Sequence, residues 1–194
     1  GDVQSGDVAI DEDTVDTLME VLGEVYKPND APKLSYDTES CANAQPSPPV
    51  SYCPDTNTLS VDLPSLQQLG EAADESNNVL LQGDNSALSV VTSRYALAMQ
   101  HENGDPVDTP VAALRTACLT GVAQRAMAET IDLPSGKSLT LTAGDLDEAV
   151  SGLLTNGLAG SNADGRTVPA GFTRIVAYRS GLGGDRELCS KRFK

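Results

Sequence analysis

The chain has 194 residues, enough for one domain that buries roughly 70% of its extended-chain surface. Hydrophobic residues make up 39% and aromatics 4%, with no Trp, so the core must rest on Leu, Val and Ala and gains from covalent cross-links. The 28 acidic against 13 basic residues give a formal charge of −15, which argues against nucleic acid as a partner because phosphate contacts need clustered Lys and Arg. No apolar run approaches the roughly 18 to 20 residues of a spanning helix, so membrane contact is expected only through a tether absent from this sequence.

Gly1 to Gly6 reads as a tag remnant or a linker from an anchor, and residues 1–34 as an N-terminal helical extension. Asp11 to Tyr26 carries Val15, Leu18, Met19, Leu22 and Val25 at a helical period, with acids in the first turn. The Pro-rich stretch from Lys27 to about Pro54 reads as loop, and Thr58 to Leu63 alternates apolar and polar side chains as a half-buried strand does. Pro64 to Leu69 suits a short helix, and Gly83 to Ser86 caps a longer one running from Ala87 to about His101, which Asn103-Gly104-Asp105-Pro106 stops. Thr109-Pro110 opens the next helix, to about Glu129. A turn at Leu133 to Lys137, a helix from Thr142 through Leu153, a Gly/Asn-rich loop over 157–165 and a last helix over Gly171 to Ser180 complete the pass.

Cys41, Cys53, Cys118 and Cys189 are even in number and follow no CxxC metal or redox spacing, so disulfides are expected. Sequence alone allows three pairings. Cys41 and Cys53 flank Gln45-Pro46-Ser47-Pro48-Pro49, and closing about a dozen residues there contributes ~3 kcal/mol. The expected pairs are therefore Cys41 with Cys53 and Cys118 with Cys189, which places the chain outside the cytoplasm. Basic residues gather late, at Arg166, Arg174, Arg179, Arg186, Lys191, Arg192 and Lys194, giving a modest positive end to an acidic body.

The segment Val90 to Gln100 has the frame of a zinc-peptidase helix, in which one turn places His, Glu and a second His at i, i+1 and i+4. Here those places hold Ser93, Arg94 and Leu97. A hydroxyl is a poor zinc ligand, Leu is none, and Arg accepts no proton at working pH. Further matches follow in order: Cys41, then Tyr52-Cys53-Pro54 before Leu59-Ser60-Val61-Asp62-Leu63; Ala113-Leu114-Arg115-Thr116-Ala117-Cys118 with Gly121; Gly144-Asp145-Leu146-Asp147-Glu148-Ala149; and Phe172, Arg174, Tyr178, Gly181 and Cys189. In this order the chain resembles the bacterial putative neutral zinc metallopeptidase family from Cys41 onward, with Ala113 and Ala117 where that family carries acids.

The resemblance implies a mainly helical α+β, zincin-like domain over 35–194 with a small sheet and two disulfides, no cofactor, and no metal. It implies a non-catalytic pseudopeptidase of the cell envelope, tethered to the plasma membrane, that binds an unknown protein or envelope component. One rival is an active metallopeptidase or other hydrolase built on His101, the only histidine, which begins His101-Glu102-Asn103-Gly104-Asp105 but sits where helix-stop signals begin. A second rival is a peptide or small-ligand module using the emptied cleft. Gly181-Leu182-Gly183-Gly184 follows a helix and reads as a turn, not as a phosphate loop.

Overall fold

A computed structural model describes residues 3–4, 10–37, 49–68, 84–129, 131, 133–137, 139–140, 160–164, 166 and 171–194. The architecture is α+β and mostly helical. Helix α1 spans Glu12–Tyr26; its N-cap Asp11 accepts from Thr14 N at 2.8 Å, and Lys27, at φ 49°, ends it in the left-handed conformation. Strands β2 (Lys33–Ser35), β3 (Val50–Cys53) and β4 (Thr58–Val61) form a sheet ordered β2-β4-β3, parallel on one side of β4 and antiparallel on the other. Leu34 pairs with Leu59, and Tyr52 pairs with Leu59 from the opposite edge.

The strand expected at Thr58 to Leu63 is present and ends at Val61. The loop expected up to Pro54 is corrected, since β2 and β3 both lie within it. These strands are three and four residues long and flanked by prolines, too short to show an alternating pattern. A helix over 63–68, α2, follows the sheet.

Helices α3 (Asp84–Glu102) and α4 (Pro110–Met127), both expected, pack against each other. Thr109 caps α4 by accepting from Ala112 N at 3.2 Å, with Pro110 at the first helical position. A two-residue strand, β5 (Leu139–Thr140), pairs in parallel with β1 (Val3–Gln4), so the start of the chain, read above as linker, is partly strand. Helix α5 spans Gly171–Leu182, longer than expected, and a further helix, α6 (Arg186–Arg192), follows the Gly183-Gly184 turn. The helix expected from Thr142 through Leu153 lies outside the described residues.

One core gathers Val15, Leu18, Val21 and Leu22 of α1, Tyr52, Leu59 and Val61 of the sheet, Leu88, Val91, Tyr95, Leu97 and Met99 of α3, and Leu119 and Met127 of α4. Tyr26 stacks on Tyr95 with centroids 5.7 Å apart and donates from its hydroxyl to Leu119 O at 2.6 Å, tying α1 to both central helices. The expected Cys118–Cys189 disulfide joins α4 to α6, both cysteines fully buried. It is the one complete bridge among the described residues, where two were expected; Cys41, the expected partner of Cys53, lies outside them.

Candidate functional site

Every position at which the resemblance placed lost zinc chemistry lies on α3 or α4. Ser89, Ser93 and Gln100 stand at i, i+4 and i+11, one face of α3. Across the α3–α4 seam Gln124 donates to Ser89 Oγ at 2.6 Å, and Gln100 donates to Thr116 Oγ1 at 2.9 Å while accepting from Arg115 Nε at 3.0 Å. Tyr178 of α5 donates its hydroxyl to Gln124 Oε1 at 3.0 Å. Each glutamine thus donates and accepts in the same place, which fixes its amide orientation and satisfies a polar group that burial alone would penalise.

Ser93, Arg94, Leu97, Ala113 and Ala117 are each 0% exposed. Leu97 belongs to the main core, whereas Ala117 packs with Ala177 and Tyr178 toward α5. Ser93 donates to Val90 O at 2.6 Å, inside its own helix. All five are therefore out of contact with solvent.

Arg94 is the unusual member. Its Nε donates to Ser93 Oγ at 3.1 Å, Nη1 to Asn162 O at 3.0 Å, and Nη2 to Ser161 O at 3.0 Å and Ser161 Oγ at 2.6 Å. Burial pushes its pKa down to about 10, so the guanidinium keeps its charge at neutral pH. A group in that state can donate and can hold charge, and it cannot serve as a base.

The segment that receives Arg94 is itself closely tied. Asn162 Oδ1 accepts from Asp164 N and Arg166 N at 3.0 Å each, and its Nδ2 donates to the carbonyls of Asp108 and Thr109 at 3.3 and 3.4 Å. Ala163 N donates to Val107 O at 2.8 Å. Residues 160–164 therefore lie across the start of α4. Sequence reasoning missed Ser161 and Asn162 because they fall in the stretch read only as a Gly/Asn-rich loop. An Asn amid Gly, Ser and Asp carries a turn signal but names no distant partner.

His101 is exposed at the end of α3, its ring set edge-on to Tyr52 with centroids 6.2 Å apart. Asp105 lies past the helix end, its amide donating to Gln100 O at 2.9 Å. Among the described residues no three His, Cys, Asp or Glu side chains are grouped so as to hold a metal ion. A cleft of about 390 Å³ opens between the end of α3 and α6, lined by Asn103, Arg186, Glu187, Ser190 and Lys191. Its basic groups are balanced: Arg186 Nη2 pairs with Glu102 at 2.9 Å and Lys191 with Glu187 at 3.6 Å. No described helix is long and apolar enough to cross a membrane. In comparisons with known proteins the chain matches no protein family, no curated protein and no solved structure.

Proposed function

We propose that this chain is a non-catalytic, zincin-like pseudopeptidase module that works outside the cytoplasm. In this reading it is tethered to a bacterial membrane by a segment beyond this sequence and holds a protein or another component of the cell envelope. The observation that carries the reading is Arg94: where a zinc peptidase needs a carboxylate to activate water, a fully buried guanidinium is held by main-chain carbonyls. Ser93, Leu97, Ala113 and Ala117 are packed interior, and their side chains make no set of zinc ligands. The buried Cys118–Cys189 bridge suits an oxidising compartment.

The test is zinc content by elemental mass spectrometry, on protein purified without chelator, incubated with excess zinc and desalted. A catalytic site with three protein ligands keeps its metal through that treatment, so the expected value is below about a tenth of an equivalent. Near one equivalent would overturn the proposal and turn attention to His101.

A further inference from the structure

The stop signal that ends α3 is also a reactive pair. Asn103 is followed by Gly104, and both are exposed. They form the one Asn-Gly pair among the described residues; Asn156-Gly157 lies outside them. The side-chain amide carbon of an Asn lies within a five-membered ring's reach of the main-chain nitrogen that follows it. In most sequences the next side chain crowds that nitrogen and restricts the backbone, and glycine does neither.

The fold leaves room for ring closure at Asn103. Gly104 stands at φ 84°, and a Cβ built on it would meet no atom within 4 Å. Its N–H donates to His101 O at 3.0 Å, a bond in the last turn of α3, and helix ends are where such bonds open most readily. Asn103 Nδ2 donates to Asp105 Oδ2 at 3.0 Å and to Ser190 Oγ at 3.4 Å, so a carboxylate stands beside the nitrogen that would leave. Asn57 and Asn162 differ on both counts. Each precedes a residue with a side chain, Thr58 or Ala163, and each has its amide engaged in part-buried bonds, from Tyr52 to Asn57 Oδ1 and from Asn162 Nδ2 to Asp108 O.

We propose that Asn103 is a self-modification site, converted in the folded protein by water alone to aspartate and isoaspartate. Hydroxide takes the proton of the Gly104 amide, and that nitrogen attacks Asn103 Cγ. The new N–Cγ bond closes a succinimide while the Cγ–Nδ2 bond breaks, and ammonia leaves with a proton from water, which restores the hydroxide. Water then opens the ring at either carbonyl. In place of an amide that donates to Asp105 and Ser190, the product sets a second carboxylate near Asp105 and adds a negative charge to the rim of the cleft between α3 and α6. This chemistry is independent of the pseudopeptidase reading.

The test is peptide mass spectrometry on the full chain, incubated folded and disulfide-bonded at neutral and mildly alkaline pH and sampled over time. Asn103 should gain the mass difference between NH2 and OH at least about tenfold faster than Asn29, Asn57 or Asn162, at a rate that rises with hydroxide. Isoaspartate should be among the products, because only the ring yields it. Gly104→Ala, which crowds the attacking nitrogen, should slow the conversion about tenfold. Conversion of Asn103 no faster than that of the other three would overturn the proposal, as would a product free of isoaspartate. Conversion seen only in urea-unfolded chain would overturn it too, since the native end of α3 would then hold the Gly104 nitrogen out of reach.

Discussion

Along α3, α4 is held by a layer of side chains in which Gln100, Gln124, Ser89 and Thr116 interlock; along α5, it comes into backbone contact. A Cβ placed on Gly181 would stand 1.8 Å from Cys118 O, and one on Gly121 would stand 2.2 Å from Tyr178 O. The two glycines are thus the reason that α4 and α5 can touch, and the Cys118–Cys189 bridge, from the same turn of α4, ties down α6 beyond them. The difference shows how a chain with 4% aromatics fills its interior. On one side it uses directional polar bonds at ordinary helix spacing, and on the other it removes side chains to bring backbones together.

The close crossing has the larger penalty for change. Gly181→Ala puts a methyl against helix backbone on α4, which cannot move as a flexible side chain can, so a destabilisation of about 3 kcal/mol or more is expected in urea unfolding. Gly183→Ala, with open space at the same test position, is the control and should change stability by less than about 1 kcal/mol. If the two variants unfold at the same urea concentration, the crossing is looser than the geometry requires.

The polar seam should respond less. Gln124→Leu keeps the volume and deletes both the bond to Ser89 and the bond from Tyr178, for an expected loss of about 2 kcal/mol. A loss equal to that of Gly181→Ala would erase the distinction drawn between the two faces of α4.

This contrast was partly legible in the residues themselves. Asp11 and Thr109 announced the starts of α1 and α4 because an N-cap is a local bond, readable within three positions. Asn103-Gly104 marked the end of α3 for the same reason, Gly104 taking φ 84°. Strands β2 and β3 were not legible, since a strand of three or four residues is defined by its partner across the sheet. Nor was α6, which Asp185 caps directly after a Gly-Gly stretch that reads only as a turn. Of the candidate site, the two helices that carry Ser93, Arg94, Leu97, Ala113 and Ala117 could be placed from sequence, while the Arg94 contact with Ser161 and Asn162 spans 67 and 68 residues and no local pattern encodes it.

The smallest expected effect lies at the far end of α3, where the pair of helices meets α6 and the loop after α1. Glu102 accepts from Asp30 N at 2.8 Å and from Arg186 Nη2 at 2.9 Å, and Arg186 also donates to Tyr26 O at 3.0 Å. Burial acts to raise the Glu102 pKa, but the Asp30 amide and the Arg186 guanidinium outweigh it and hold the carboxyl below its ordinary value of 4.5. A folded-state value lowered in this way stabilises the protein above the unfolded value, and that contribution is lost as pH falls through the folded one. Glu102→Gln should therefore cost about 1 kcal/mol at neutral pH and progressively less as pH drops below 4.5, so that the thermal unfolding curves of the two proteins converge in acid. Curves that stay parallel across that window would mean that the end of α3 is held by packing alone, and that the polar mode of attachment stops at Gln100.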